Sequence, residues 1–155
     1  EISLGLVGSE MCIRDRAHTY LTNMSEGQIL QSLNQTRDAI VAAGGNAPKG
    51  VRPPGGKIND ASKAVLAKAG MPSIVWSVDT LDWKTRNAQK TIDTVLSQVK
   101  DGDIVLMHDL YEQSAIAAET LIPELTKRGY QLVTVSEMAE LRGGMAAGHS
   151  YGHFR

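Results

Sequence analysis

The feature that most restricts the fold of this chain is a short apolar segment that leads directly into a histidine. Residues 103–107 follow the turn at Gly102 and are mostly apolar and β-prone, which predicts a short buried strand. His108 comes next, and the carboxyl end of such a strand is where open and barrel α/β folds place their chemistry. The simpler alternative is a histidine that only caps the strand, so this motif by itself is a hypothesis.

Two further segments place polar side chains after predicted strands. Residues 73–78 predict a buried strand that leads towards Asp82, and Val51 ends a brief extended stretch that is followed by Arg52. Because helices are predicted between the strands, we expect the strands to be parallel and their carboxyl ends to share one face. The pattern therefore predicts that Arg52, Asp82 and His108 converge.

Amphipathic spacing predicts the helices that separate these strands. Ser25 and Gln28 form a capping-box pattern at the start of the first helix. Pro123 is expected to kink or break the fourth helix. The predicted helices cover residues 25–43, 60–69, 88–100 and 114–128, and a last strand at 130–135 precedes a short helix at 136–141.

Composition excludes several classes of protein. A chain of 155 residues with 42% hydrophobic and 21% charged residues is ordinary for one globular domain. The net charge of -1 gives no electrostatic reason to expect nucleic acid as a partner. No apolar run approaches the roughly 20 residues of a membrane span. Cys12 is the only cysteine, which excludes an intrachain disulfide and a cysteine-rich zinc site.

Both ends of the chain lack the periodicity of the middle. Residues 1–16 resemble a translated sequencing-adapter read-through and are expected to be a non-native artefact, in which case Cys12 is not native. A signal peptide is the competing interpretation, but the segment has neither a basic start nor a sustained apolar stretch. Residues 143–155 are glycine-rich and are expected to form a flexible tail.

Three motifs in the central part resemble a known family. They are Arg52-Pro53-Pro54-Gly55-Gly56, Asp79-x-x-Asp82-Trp83 and Leu106-x-His108. In this order they resemble the polysaccharide deacetylases (NodB-homology domain, carbohydrate esterase family 4). The resemblance implies an α/β fold, an incomplete distorted (β/α) barrel that lacks its first strand region, with residues 17–142 as the carboxy-terminal part of the domain. It also implies removal of acetyl groups from sugar polymers with a divalent metal, usually zinc.

The resemblance gives the polar residues specific roles. His108 would be the general acid that protonates the departing amine, and Asp82 would orient it and favour its protonated form. Arg52 would complete this polar network. Without the resemblance, Asp82 can be interpreted as a strand-end cap and Arg52 as part of a surface ion pair.

The remaining motif residues would contact the substrate. Trp83 and Leu106 would line the pocket for the acetyl methyl group, although simple core packing is the alternative for both. The position of Gly55 is more often tyrosine in the family, and its backbone N–H helps to hold the oxyanion. A glycine can still supply that N–H.

The metal site expected from the resemblance is incomplete in this sequence. His18 matches the second histidine of the His-Ser/Thr-x-x-His motif, whereas Arg14 stands at the first position. The Thr-Phe-Asp-Asp-Gly-like motif, which would supply the catalytic base and an aspartate ligand, is absent. Because catalytic zinc needs about three protein ligands and a water, we expect this chain to bind metal weakly and to be nearly inactive.

The resemblance predicts a hydrolase that acts on carbon–nitrogen bonds other than peptide bonds. The expected partner is an N-acetylglucosamine-containing polysaccharide, peptidoglycan or a chitin-like chain, outside a bacterial cell or at its wall. The alternative is a non-catalytic glycan-binding pseudoenzyme of the same fold. A third possibility, an unrelated sugar-processing barrel, requires the ordered motifs to be accidental.

Overall fold

The computed structural model describes residues 19–155, which divide into two compact units. The first unit contains residues 19–75 and 134–151, and the second contains residues 76–133 and 152–155. The helices are α1 (Glu26–Ala42), α2 (Asp60–Lys68), α3 (Asp82–Thr85), α4 (Ala88–Gln98), α5 (Glu112–Lys127) and α6 (Val135–Leu141). The strands are β1 (Ser73–Ile74), β2 (Val78–Asp79), β3 (Val105–Leu106) and β4 (Ser150–Tyr151).

Local sequence signals determine where the helices of the first unit begin. The Ser25 hydroxyl accepts the Gln28 N–H and the Gln28 side chain accepts the Ser25 N–H, so the predicted capping box of α1 is confirmed. Asn59 caps α2 by accepting the Ser62 N–H at 2.9 Å. These two helices contribute to one buried cluster, which consists of Leu21, Ile29, Leu33, Val51, Val65 and Leu66.

The core of the second unit lies between α4 and α5. The buried positions of α5 are Ser114, Ala117, Leu121 and Leu125, at spacings of three, four and four residues. These spacings keep one stripe of the helix facing inward. The apolar residues of the cluster are Val78, Ile92, Val95, Ala117, Leu121 and Leu125. Helices α4 and α5 therefore form this core with their inward faces.

The segment predicted as one strand at 73–78 forms two strands with different partners. β1 pairs in parallel with β4, and β2 pairs in parallel with β3. Ser77 lies between the two strands, and its N–H donates to the Ile104 carbonyl at 3.0 Å. The apolar segment 73–78 therefore contributes one strand to each of two sheets, because its two ends pair with different strands.

The predicted strand at 130–135 is wrong. Among residues 19–155 no strand forms there, and Val135 begins α6 instead. Thr134 caps α6 because its hydroxyl accepts the Glu137 N–H while the Glu137 side chain accepts the Thr134 N–H. This capping box explains why Val135 begins a helix.

Two further expectations differ from the structure. α5 continues through Pro123 as one helix, so the expected break does not occur, while the alternative of a kink stays a prediction. Its buried stripe packs in the core on both sides of the proline, which compensates for one missing hydrogen bond. The tail expected to be flexible contains β4, and Phe154 is buried with its N–H donating to the Gly102 carbonyl. Long-range pairing orders these tail residues despite their lack of periodicity.

No helix within residues 19–155 combines the length and the apolar character that a membrane crossing requires. Residues 1–16, expected to be an artefact, lie outside the residues that the structure describes.

Candidate active site

The parallel pairing of β2 with β3 positions the candidate site. Val78 is in register with Val105, and Asp79 with Leu106. Asp82 follows the end of β2 by three residues, and His108 follows the end of β3 by two. Since the strands run in the same direction, both side chains emerge at the same end of the sheet.

Thr80 fixes the turn that carries Asp82. Its buried hydroxyl donates to the Leu106 carbonyl at 2.8 Å and accepts the Asp82 N–H at 3.4 Å. Leu81 takes a left-handed conformation with a φ of 49°, and its N–H donates to the Asp79 carboxylate. Left-handed backbone is uncommon for leucine and marks a conformation imposed by its surroundings. The turn starts α3 at Asp82 and so aims the carboxylate at the loop that follows β3.

Asp82 and His108 form a short, nearly buried contact. The Oδ1 atom of Asp82 lies 2.7 Å from the Nδ1 atom of His108. Its Oδ2 atom accepts the His108 backbone N–H at 2.7 Å and the Ser114 hydroxyl at 2.6 Å. The Asp82 side chain is 2% exposed, whereas that of His108 is 27% exposed. We call this the Asp82–His108 pair: a buried carboxylate that holds a ring open to solvent.

The environment of Asp82 determines which nitrogen of His108 is free. Burial alone would raise the pKa of Asp82, but hydrogen bonds from Ser114, His108 and the Trp83 backbone outweigh it and lower that pKa. An ionised carboxylate can only accept hydrogen bonds, so the proton between the two side chains belongs to Nδ1 of His108. Nε2 is then the ring nitrogen available for chemistry.

Trp83 and Leu106, the predicted pocket residues, differ in their exposure. Leu106 is 7% exposed and belongs to β3, directly beside the Thr80 hydroxyl that binds its carbonyl. Trp83 is 48% exposed, which is unusual for so large an apolar side chain. The half-exposed indole next to Asp82 is available for contact with a ligand. The substrate-binding roles of both residues stay predictions.

Arg52 and Gly55 lie in the first unit, in the segment 52–56 that we call the Arg52 loop. Val51 bridges in parallel to Ser73 and positions the start of this loop. The Nε atom of Arg52 is buried, and it has no hydrogen-bond partner among residues 19–155. Because Arg52 belongs to one unit and the Asp82–His108 pair to the other, the predicted convergence of all three stays a prediction.

Gly55 is suited to its position by its backbone and by a neighbouring ring. It has a φ of +59°, where a Cβ atom is strained. A Cβ built there would lie 3.0 Å from Cε1 of Tyr20, whose ring is also contacted by the Lys57 ammonium, 4.2 Å from the ring centroid. A larger side chain at this position would therefore meet an aromatic ring that is already in place.

The described residues do not fit a metal site. Within residues 19–155 there is no group of three or more His, Cys, Asp or Glu side chains that could hold a metal ion. His18, the predicted metal ligand, lies outside the described residues. The predictions of a zinc cofactor and of weak metal binding are therefore untested by the described side chains.

Ser114 and Thr80 are two site residues that the sequence interpretation missed. Ser114 was expected only to begin a helix, but α5 begins at Glu112 and Ser114 lies on its buried stripe. A serine in register with the apolar positions of the helix that follows His108 was the available signal, because a buried hydroxyl needs a hydrogen-bond partner. Thr80 offers a weaker signal, a hydroxyl between a predicted strand and Asp82.

The comparisons with known proteins agree with the motifs. The family model described as polysaccharide deacetylase matches residues 8–74. The chain is 41% identical over 135 residues to the peptidoglycan-N-acetylmuramic acid deacetylase PdaC of Bacillus subtilis, which covers 87% of this chain and 28% of that protein. It is 39% identical over 121 residues to the peptidoglycan-N-acetylglucosamine deacetylase PgdA of Listeria monocytogenes, covering 78% of this chain and 25% of that protein. The chain thus spans about a quarter of the length of these curated relatives.

A solved structure extends the agreement to the fold. The T48 deacetylase, determined with substrate, matches with a TM-score of 0.84 and 32% sequence identity, over 92% of this chain and 69% of that one. The predicted fold class, an incomplete distorted (β/α) barrel of the polysaccharide deacetylase type, is confirmed. The chain belongs to the polysaccharide deacetylase family, carbohydrate esterase family 4.

Proposed function

We propose that this chain is part of a hydrolase that removes acetyl groups from N-acetylglucosamine-containing polysaccharide, either peptidoglycan or a chitin-like chain. The bond broken is the carbon–nitrogen bond of the acetamido group, and the products are acetate and a free amine on the sugar. The observation that carries the proposal is the Asp82–His108 pair, whose carboxylate is buried while its imidazole stays accessible. The relatives' names support the choice of substrate class.

The geometry suits His108 to the role of general acid. After water has added to the acetyl carbonyl, the nitrogen must gain a proton before it leaves, because an amide anion is a very poor leaving group. Nε2 of protonated His108 would donate that proton, while Asp82 holds Nδ1 at 2.7 Å and balances the positive charge of the ring. Positioned acids of this kind contribute about 10²- to 10⁴-fold to a rate.

The remaining predicted residues complete the proposal. The indole of Trp83 and the side chain of Leu106 would contact the acetyl methyl group, and Arg52 would support the polar network. The backbone N–H of Gly55 would donate to the oxyanion that forms when water adds to the carbonyl. The side chain of Trp83 is 48% exposed, so an approaching glycan can contact it.

A divalent metal, with zinc as the first choice, is also part of the proposal, and His18 is its proposed ligand. In this family the metal would activate the attacking water. The described residues do not fit such a site, so the role of His108 above is argued without it. We also propose that the chain with its present first 17 residues is nearly inactive, because the paired-aspartate motif is absent from the sequence.

The relatives' substrates leave two acetylated sugars as candidates. PdaC is named for N-acetylmuramic acid and PgdA for N-acetylglucosamine. Both are peptidoglycan sugars, which supports action at the cell wall or outside the cell. Analysis of the deacetylated muropeptides by mass spectrometry would distinguish them.

Acetate release tests the proposal directly. In a chimera, residues 1–17 are replaced by the PdaC segment that precedes the match to residue 18. We expect this chimera to release acetate from peptidoglycan, and the unaltered chain to stay near background. His108→Ala in the chimera should lower the rate by about 10²- to 10⁴-fold. His149→Ala, which removes an exposed imidazole, should leave it unchanged. A folded chimera that releases no acetate from peptidoglycan or chitin oligomers would refute the proposal.

The glycan-binding pseudoenzyme is the weaker alternative. A protein that only binds sugar does not need a carboxylate with three short hydrogen bonds to orient a partly exposed imidazole. Genomic sequence upstream of the reading frame separates the two functions. The paired-aspartate motif and a first metal-binding histidine in that sequence would support the hydrolase, and their absence would support the pseudoenzyme.

A further inference from the structure

A buried hydroxyl outside the three motifs completes the Asp82–His108 pair. We propose that Ser114 is a positioning residue, which holds the Asp82 carboxylate in the orientation that presents Nε2 of His108 for proton donation. The catalytic consequence rests on the proposed function, whereas the hydrogen-bond network can be tested independently of it. Ser114 lies outside all three family motifs.

The contacts of Asp82 show what Ser114 adds. Its hydroxyl donates to Oδ2 at 2.6 Å, and the same oxygen accepts the His108 backbone N–H at 2.7 Å. Two donors occupy the two lone pairs of Oδ2 and so fix the carboxylate plane. Oδ1 is left to face Nδ1 of the ring. The terminal torsion of aspartate is intrinsically soft, so its orientation depends on such donors.

Ser114 links the carboxylate to the rigid core of the second unit. It lies in the first turn of α5, on the same buried stripe as Ala117 and Leu121. The other short contacts of the carboxylate come from His108 itself, whereas the Ser114 hydroxyl belongs to α5. The backbone N–H of Trp83 is the other donor that does not belong to His108. The packing of α5 in the core therefore fixes the position of the Ser114 hydroxyl, and this hydroxyl in turn fixes the Asp82 carboxylate.

The Ser114 hydroxyl has no role in capping α5. The cap residue, Tyr111, makes no side-chain cap bond, and the Ser114 backbone N–H already donates to the Tyr111 carbonyl at 2.9 Å. The hydroxyl instead reaches a carboxylate 32 residues earlier in the chain. Ser114 is 4% exposed, so bulk water is not positioned to replace it. Its removal leaves one accepting site of a buried charge without a donor, which is costly.

Nuclear magnetic resonance on the full chain tests the network. The ¹³Cγ shift of Asp82 would be followed from pH 6 to pH 2, and the ¹⁵N shifts of His108 at neutral pH, in the unaltered chain, S114A and S114C. Cysteine keeps the size of serine but is a weaker donor. We expect the titration midpoint of Asp82 to rise in the order unaltered chain, S114C, S114A, because a hydrogen bond to the charged form lowers a pKa. We also expect the fraction of His108 protonated on Nδ1 to fall in the same order.

Thr126→Ala is the matched control, because it removes an exposed hydroxyl of α5 that donates to the Ile122 carbonyl within the same helix. It should leave both signals unchanged. If S114A gives the same Asp82 midpoint and the same His108 ¹⁵N shifts as T126A, the positioning role is wrong. If S114A does not fold, S114C decides alone, and unchanged signals in it overturn the proposal.

Acetate release then separates this inference from the proposed function. In the chimera described above, S114A should lower kcat and change its pH profile with little effect on KM. An inactive chimera together with a shifted Asp82 midpoint would refute the deacetylase but retain the positioning role. An active chimera in which S114A changes neither kcat nor the Asp82 midpoint would refute the positioning role alone.

Discussion

The Asp82–His108 pair and the Arg52 loop both follow short extended segments, yet their charged groups are satisfied to different degrees. The two oxygens of Asp82 accept three hydrogen bonds of 2.6 to 2.7 Å. The buried Nε atom of Arg52 has no partner among residues 19–155. The difference shows that a position at the end of a strand does not by itself give a charged side chain its hydrogen-bond partners. The Asp82 carboxylate has its partners because His108, which follows β3, and Ser114 of α5 lie in the same unit and donate hydrogen bonds to it.

The largest effect is expected from removing the carboxylate at the centre of the pair. Asp82→Ala would leave the buried Ser114 hydroxyl and the His108 N–H groups without their acceptor. Breaking a buried, charge-assisted network of this kind costs about 3 kcal/mol. Urea denaturation followed by circular dichroism would measure the loss.

Asp93→Ala is the matched control for that substitution. Asp93 is exposed, and its carboxylate accepts a hydrogen bond from the Gln89 side chain. Its removal should change the free energy of unfolding by no more than about 0.5 kcal/mol. Equal losses in the two variants would show that the pair contributes no special stability, and would remove the contrast with the Arg52 loop.

Acid pH should weaken the same network more gradually. The pKa of Asp82 is lowered in the folded chain, because hydrogen bonds from Ser114, His108 and Trp83 outweigh the effect of burial, which raises it. Between the folded pKa and the ordinary value near 4, the unfolded chain binds more protons, so stability rises with pH there. The contribution of Asp82 is therefore present above the ordinary value and is lost as pH falls through the folded pKa.

Asp82→Asn isolates this contribution from those of other acidic groups. Urea denaturation of both proteins between pH 5 and pH 2 should show their difference in unfolding free energy shrinking as pH falls. A difference that stays constant over this range would mean that Asp82 titrates alike in the folded and unfolded chains.

The backbone of the Arg52 loop should give a smaller effect. Gly55→Ala places a Cβ atom at a φ of +59° and 3.0 Å from the Tyr20 ring. The left-handed conformation costs an L-residue about 1 to 2 kcal/mol, which thermal and urea unfolding would detect. Gly27→Ala is the control of opposite sign, since Gly27 lies in α1 with open space around it and alanine favours helix. If Gly55→Ala is as well tolerated as Gly27→Ala, the loop is not held in this conformation.

Patterns that depend on nearby residues, and the meeting of two strand ends in a parallel sheet, were predictable from the sequence, whereas other contacts between distant residues were not. The α1 capping box spans four residues, and the approach of Asp82 to His108 follows from two apolar runs in parallel strands. The contact of Ser114 with Asp82 joins positions 32 residues apart, so no local pattern specifies it. The division of the strand at 73–78 depends on β4, which lies more than 70 residues later. The roles of Arg52 and Gly55 depend on the family resemblance more than on local chemistry.

The smallest effect on stability is expected at Arg52 itself. Arg52→Met keeps most of the length and the apolar contacts of the side chain but removes the buried Nε atom, which has no partner among residues 19–155. Loss of an unsatisfied polar group releases its desolvation cost, so the free energy of unfolding should change by less than about 1 kcal/mol. Urea denaturation of Arg52→Met beside Asp82→Ala measures the contrast in one experiment. If Arg52→Met is as destabilising as Asp82→Ala, then Arg52 is bound to an acidic partner, and the two regions are equally complete. If its loss is small while the chimera loses acetate release on the same substitution, Arg52 serves the reaction and not the fold.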